Sequence, residues 1–556
     1  MLKKTLEILS EKNRVKLIFY LILSLFFVAI ETSLLIIVYP LIDVFLESQT
    51  LDKNKVFIFL NNYLLIKNLS GLVFFTTILI IIRLIYFLLF NWIKYSYLNQ
   101  IQKDLALKIF NYFHNRSYLK ITKSTSSAFI RDITSETTTF KKCCDTYINL
   151  ILEILISISI CVFLFLISPL VFFSLIIFLS FFATIYFLII LKILRHLGKK
   201  RVIINKNIIK IVSESYKFFE LIKINKVIKF FKHDLKEEFS KLMNLNKYSQ
   251  IFNLMPKLFI ETILFLGFMM LFIFQIKNTN FEINISVASI FLISFLRLFP
   301  SVSKILSSIQ NLNLYKFSVE NIYTQINHIL NTDKNHTKNS KKFKFENIIE
   351  IDNLTFGFND NYILKNFKTL IKNKSLNAIV GDSGSGKSSF IKIFMGLIRP
   401  KSLEIKVDGY NIDIFKNSEW QSKIGYAGQN SLILNQSLQR NITLSDEANI
   451  NIERLKKAFY NSGLNTFLDF DKNINDELNE SGSNFSGGQL QRICLARALY
   501  FSEGVLVLDE ICSALDIDSE ENIIKTLKNL SESYTILYIT HRNNFHEYFD
   551  NLIKIK

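Results

Sequence analysis

Long apolar runs crowd the first 310 residues of this chain and then stop. A helix that crosses a bilayer needs about 20 mainly apolar residues, because the hydrocarbon offers no partner for an unpaired backbone N–H or C=O. The stretches Leu17–Val44, Leu69–Ile93, Ile148–Ile167, Leu170–Ile190, Leu258–Ile276 and Ile285–Leu306 meet that requirement. Half of the 556 residues are hydrophobic and 53 are Phe, too apolar for a soluble protein. The chain therefore reads as a membrane half (1–330), a polar, Lys-rich linker (331–347, "NTDKNHTKNSKKFK" and the residues after it) and a soluble half (348–556). The fold class expected is an α-helical membrane domain of about six transmembrane helices fused to an α/β domain. Pro169 in "ISPL" marks a very tight turn between the third and fourth spans.

Orientation follows from Lys and Arg near the span ends. Lys3, Lys4, Lys12, Arg14 and Lys16 precede the first span, and the connections Lys94–Lys142 and Lys192–Lys257 are long and basic. Both termini are therefore expected on the cytoplasmic side. Those connections are too long for turns. Their helix-like patterns predict spans continuing far into the cytoplasm, with short tip segments near Ser117–Phe129 and Glu214–Phe231. "VFIFLNNYLLIK" (Val56–Lys67) is too short and interrupted to span, and is expected to be an interfacial helix on the external side.

The net charge of +19 could mean nucleic acid, but Lys, Asn and Ile are abundant throughout, so composition bias and cytoplasmic loops account for it and no nucleic-acid partner is expected. Cys143, Cys144, Cys161, Cys494 and Cys512 show neither metal spacing nor a disulfide framework, which fits a reducing compartment. No cleavage pattern of a signal peptide precedes the first span, and no internal repeat is visible.

The soluble half carries the sharpest motif. "GDSGSGKSS" runs through Gly381, Asp382, Ser383, Gly384, Ser385, Gly386, Lys387, Ser388 and Ser389, and matches G-x-x-x-x-G-K-[ST] in full. It follows a strand-like "LNAIV" and precedes a helix-like "FIKIFMGLI", the context a phosphate-binding loop needs. Glycines let backbone N–H groups close around phosphate oxygens, Lys387 meets the β- and γ-phosphates, and Ser388 can ligate Mg²⁺. "GVLVLDE" (Gly504–Glu510) is an apolar strand ending in two carboxylates. Asp509 suits the Mg²⁺ shell, and Glu510 is placed to orient or deprotonate an attacking water. ATP and Mg²⁺ are the expected ligands.

Between these elements lies "FSGGQ", Phe485 followed by Ser486, Gly487, Gly488 and Gln489. It resembles the signature sequence of ABC-transporter ATPases, with Phe in place of the usual Leu. The resemblance orders further residues. Gln429 in "GYAGQN" matches the glutamine that senses Mg²⁺ and the membrane domain, and "SALD" (Ser513–Asp516) the loop that couples the two sites. His541 in "ITHR" matches the histidine on the γ-phosphate. Phe358 in "LTFGF" falls where an adenine-stacking Tyr is usual, and Glu480 in "NESG" resembles the exporter-specific loop. The likeness covers most of residues 348–556, so the α/β half is expected to be a P-loop ABC ATPase. In the family, the signature contacts ATP held by the other subunit. One membrane half fused to one ATPase half resembles a type IV half-transporter, which implies a homodimer in a bilayer, ATP hydrolysis coupled to export, and Glu510, His541 and Gln429 as catalytic residues. A partner of different sequence, a soluble ATPase of the repair type, an ATP-gated channel and an importer are the competing readings. The spans disfavour the soluble ATPase, and the fusion disfavours the importer.

The membrane half holds cations where they are costly. Arg83 sits near the middle of "TTILIIIRLIYFLLF", Arg297 in "ISFLRLFPS" and Lys257 in "MPKLFIE". A central arginine costs about 2.5–3.5 kcal/mol on insertion scales. Either Glu31, Glu153 and Glu261 pair with these cations, Arg83 with Glu31 being a reasonable pair, or the cations line a cavity for an anionic headgroup. Arginine's planar fork suits phosphate. The external segment and the two arginines resemble the bacterial protein-glycosylation flippases, which implies a polyprenyl-pyrophosphate-linked oligosaccharide as substrate and the bacterial inner membrane as location. An exporter of peptides, other lipids or drugs is the alternative.

Overall fold

The structure, a computed structural model, describes residues 1–47, 69–122, 124–167, 169–277, 285–332, 343–358, 361–479, 482, 484–512, 517–540 and 546–555. Val56–Lys67, Glu480, Ser513–Asp516 and His541 therefore lie outside the described residues. The chain divides into two units, one of Met1–Arg116 with Thr122–Asn331 and one of Ser117–Ile121 with Thr332–Lys556.

Each apolar run of the first unit falls within a long helix: α1 (Glu11–Glu47), α2 (Leu69–His114), α3 (Thr137–Ile167), α4 (Pro169–Lys217), α5 (Ile228–Lys277) and α6 (Ile285–Thr332). The helices run well beyond the apolar runs. In α2, past Lys94, Lys103 and Lys108 are exposed while Tyr97, Leu98, Ile101, Leu105 and Ile109 are buried at three- and four-residue spacing. That stripe continues the helix for about three and a half turns, at 3.6 residues per turn. The expected tips contain short helices, Tyr118–Thr122 and Ser126–Arg131 in one and Phe219–Asn225 in the other. Helix α4 opens on Pro169, where a missing N–H costs nothing because the first helical N–H groups have no intrahelical partner. A π-helical turn at Asp132–Glu136 leads into α3.

Among the described residues, three helical stretches are long and apolar enough to cross a membrane: Glu11–Val38, Ser70–His114 and Ser126–Ile167. The most apolar window of Ser70–His114 is only 11% buried. Phe74, Ile81, Leu84, Leu88 and Trp92 point outward there. Water would not tolerate an apolar face of that extent, and lipid does.

The second unit is built on two sheets. Strands β1 (Ile348–Phe358), β2 (Asn361–Lys372), β4 (Ser402–Val407) and β5 (Tyr410–Asn411) form an antiparallel sheet in the order β2-β1-β4-β5. Strands β6 (Ile424–Ala427), β7 (Val505–Asp509), β8 (Thr535–Ile539), β3 (Leu376–Val380) and β9 (Asn551–Lys554) form a parallel one, ordered β6-β7-β8-β3-β9. Every residue of β7 and β8 is buried, as apolar runs covered on both faces must be. One core packs Ile391, Phe394 and Trp420 with Val507 and Ile539. The other packs Leu495, Leu499 and Phe459 with Leu506 and Leu508. Tyr118 and Leu119 belong to this unit and pack on the first core, the Tyr118 ring 5.6 Å from Lys392 Nζ.

Candidate nucleotide site and the membrane-half cations

Register places the residues expected to meet nucleotide at one sheet edge. Ala427 pairs with Leu508, Asp509 with Ile539, and Ile539 with Ile379. The residues just past those positions, Gln429, Glu510, Thr540 and Gly381, therefore leave the sheet from the carboxyl ends of four neighbouring parallel strands. That edge is where open α/β sheets bind ligands. His541 follows Thr540 directly, outside the described residues.

The loop after β3 curls into helix α7 (Lys387–Phe394). Two glycines make the curl possible. A Cβ on Gly381 would lie 2.2 Å from the Ile555 carbonyl oxygen, and one on Gly386, at φ 105°, 2.5 Å from Ile363 Cγ2. Only glycine fits such contacts and such a φ without strain. Asp382, Ser383 and Gly384 form the exposed crest, and Ser388 and Ser389 stand half-buried in the first turn of α7. Lys387 is buried and its Nζ donates to the Gly381 and Asp382 carbonyl oxygens, both at 2.8 Å. Its ammonium thus sits inside the curl.

Among the described residues, Ser385 Oγ is buried without a hydrogen-bond partner. An unpaired buried hydroxyl is costly, and a phosphate oxygen would satisfy it. The glycine-lined cradle, the enclosed ammonium and the orphaned hydroxyl fit a nucleotide phosphate. Ser388 in the first turn of α7, with Asp509 and Gln429 across the same edge, supplies the oxygen donors that Mg²⁺ prefers.

Glu510 is held in a demanding backbone conformation. Its φ is 52°, in the left-handed region that costs a non-glycine residue about 1–3 kcal/mol and that clusters at functional sites. Gln429 Nε2 donates to Glu510 Oε2 at 2.8 Å, so the two residues meet in space. Asp509 is buried at the end of β7. Tyr426 stands beside it; burial first, then the charges of Asp509 and Tyr118, push its phenol up to about 12. Sequence reasoning missed Tyr426, whose one signal was an aromatic three residues before Gln429, and Tyr118, for which no local signal existed. Phe358 ends β1, paired with Asn361, and its side chain lies outside the description.

The signature turn forms the start of helix α8 (Gly487–Phe501). Ser486 caps it: Gln489 N donates to Ser486 Oγ at 3.4 Å and Ser486 N to Gln489 Oε1 at 2.9 Å. This reciprocal box leaves the N–H groups of Gly487 and Gly488 directed outward at the positive end of the helix. A Cβ on Gly487 would meet nothing within 4 Å in its own chain.

In the first unit, all three expected carboxylates have cationic partners. Arg83 Nε donates to Glu31 Oε2 at 2.6 Å and Arg83 Nη2 to Glu31 Oε1 at 3.1 Å. Arg297 Nε pairs with the same Glu31 Oε1. Glu153 Oε1 accepts from Lys304 Nζ at 2.7 Å. Lys257 is exposed, with Nζ 3.9 Å from Glu261 on the next turn of α5. The expected Arg83–Glu31 pair is therefore present. What the sequence did not reveal is that Arg297 shares the same carboxylate.

The fold is that of an ABC exporter half, an α-helical membrane domain fused to an α/β P-loop ABC ATPase domain. It resembles a bacterial Atm1-family ABC exporter with ATP bound at a TM-score of 0.74, over 98% of this chain and 93% of that one, at 16% identity. Residues 364–513 match the ABC transporter family, so the second unit contains an ABC transporter domain, and domains of that family bind ATP with Mg²⁺. The alpha-hemolysin translocation ATP-binding protein HlyB of Escherichia coli O157:H7 is 35% identical over 198 residues, 35% of this chain and 28% of that protein. The ATP-dependent lipid A-core flippase 2 of Colwellia psychrerythraea is 31% identical over 193 residues, 34% of this chain and 33% of that protein. The heterocyst differentiation ATP-binding protein HepA of a Nostoc species is 28% identical over 271 residues, 48% of this chain and 44% of that protein. The chain thus spans less than half the length of each of these curated relatives.

Proposed function

We propose that the protein is an ATP-driven exporter that works as a homodimer in the bacterial inner membrane, with its ATPase units and both termini cytoplasmic, and that it moves an amphipathic anionic substrate. The most specific form of this reading is a flippase for a polyprenyl-pyrophosphate-linked oligosaccharide. The observation that carries the engine is the Gln429–Glu510 contact beside the Gly381–Ser389 cradle, which sets a carboxylate at the edge where the γ-phosphate would lie. Backbone N–H groups of the cradle and Lys387 bind the phosphates, and Phe358 stacks on the adenine. Glu510 orients the attacking water and takes its proton, while His541 steadies the γ-phosphate. Ser388, Gln429 and Asp509 would hold Mg²⁺, which when bound neutralises charge on the β- and γ-oxygens. Ser486, Gly487, Gly488 and Gln489 close on nucleotide held by a second copy.

The substrate class rests on Arg83 and Arg297, with Lys257 as a weaker third. Cations at membrane depth are found mainly where counter-charge, water or ligand compensates them. Two arginines on one carboxylate leave a net positive charge, which suits a phosphate-bearing head while the tail stays in lipid. Proteoliposomes test the reading. ATP-dependent translocation of a fluorescent undecaprenyl-pyrophosphate oligosaccharide is expected with the wild-type chain and not with Glu510→Gln. ATP-dependent movement of a peptide, a lipid A or a dye, with none of the oligosaccharide lipid, would overturn the substrate and leave the engine standing.

A further inference from the structure

The shared carboxylate has its own role. Glu31 is almost wholly covered, at 4% exposure of its side chain, whereas the side chains of Arg83 and Arg297 are 42% and 23% exposed. Helices α1, α2 and α6 each supply one of the three residues. Arg83 commits its Nε–Nη2 edge to Glu31, which leaves Nη1 and the second N–H of Nη2 outside that contact. Arg297 meets Glu31 through Nε, leaving its own terminal end outside that contact. Two guanidiniums drawn to one anchor would otherwise repel each other and sample many rotamers.

We infer that Glu31 is a positioning residue: it anchors Arg83 and Arg297 at a fixed spacing so that their outer ends present two adjacent forks to a diphosphate head. The inference rests on the anionic-substrate reading above and adds to it the residue that builds the site. It makes a prediction of opposite sign to simple electrostatics. Glu31→Gln removes one negative charge and raises the cluster from a net charge of about +1 to about +2, which by Coulomb attraction alone tightens an anion. Positioning demands the reverse, because a neutral amide offers one acceptor oxygen where the carboxylate offered two, and the forks lose their register.

The test uses the full chain in nanodiscs without nucleotide, titrated by calorimetry with farnesyl diphosphate and, separately, with tail-free methylenediphosphonate, alongside thermal melts. Glu31→Gln is expected to raise the farnesyl diphosphate Kd about ten-fold, with Glu31→Asp intermediate. Farnesyl diphosphate is expected to bind more tightly than methylenediphosphonate, and equal binding would overturn a lipid head as the source of the anion. An unchanged or lower Kd in Glu31→Gln, with Arg83→Ala and Arg297→Ala still weakened, would overturn positioning while the anionic-substrate reading survives. Unchanged Kd in both arginine variants would overturn that reading itself. Where Glu31→Gln melts too early to titrate, Glu31→Asp decides: it keeps the charge, shortens the reach and is expected to weaken binding, and a wild-type Kd in folded Glu31→Asp would refute positioning.

Discussion

Glu510 shows how much one residue can be asked to carry. Its left-handed φ is a local expense that a glycine would avoid, and the gain is a carboxylate aimed at Gln429 and the phosphate edge. Glu510→Gln keeps the shape and the cradle but cannot take a proton. ATP binding is expected to stay within about two-fold of wild type while kcat falls at least about a hundred-fold, the scale of general-base loss. Nucleotide-binding and phosphate-release assays on purified protein check this, and turnover near wild type would remove Glu510 from the mechanism. Phe358 belongs to the same scale. Phe358→Ala is expected to raise the KM for ATP several-fold through lost stacking, worth about 1 kcal/mol, with a smaller change in kcat. Phe358→Tyr should be nearly silent. An unchanged KM in Phe358→Ala would place the adenine elsewhere.

At the scale of elements, the second unit was legible because its motifs dictate local geometry. The G-x-x-x-x-G-K-[ST] pattern demands a strand before and a helix after, and β3 and α7 are there. Ser486 and Gln489 stand at the spacing of a capping box, and they form one. The helical extensions could be read from periodicity, but the π-turn at Asp132–Glu136 could not, since no local pattern encodes it. The sharing of Glu31 was hidden for a different reason: it depends on the packing of three helices remote in sequence. Another such contact yields a pH prediction. Asp408 accepts backbone N–H bonds from Glu346, Asn347 and Ile348 at 2.7–2.9 Å, tying the start of β1 to the turn after β4. Burial raises its pKa, but the three N–H donors outweigh that and hold it below the ordinary carboxylate value. A lowered folded-state pKa stabilises above the unfolded value and is lost as pH falls through the folded one. Asp408→Asn should therefore melt below wild type at pH 7, and the gap should close as pH drops below the ordinary carboxylate range. A gap that persists undiminished into acid would mean that the hydrogen-bond geometry, not the charge, does the stabilising.

At the scale of the molecule, Gly487 asks why a glycine is there at all. Its own chain leaves open space around it, so neither packing nor a left-handed φ requires it. Aspartate at the first helical position even favours the helix, by about 0.3–1 kcal/mol. Gly487→Asp is therefore expected to fold as well as wild type, and if it is inactive the reason lies outside the chain, in a phosphate brought close by a second copy. Lys387→Ala breaks the cradle instead. In a homodimer with composite sites, each variant alone has both sites damaged. A mixed dimer has one site with both defects and one with neither. Co-expression at equal levels makes half of the dimers mixed, so ATPase activity should return to about a quarter of wild type if the two sites act independently. Sites contained within single chains predict no recovery, since every chain carries a defect. The measurement is the ATPase rate against each parent, about a quarter of wild type for the unfractionated co-expression and about half for mixed dimers isolated through tandem tags. A mixed dimer as inactive as both parents would rule out independently acting composite sites.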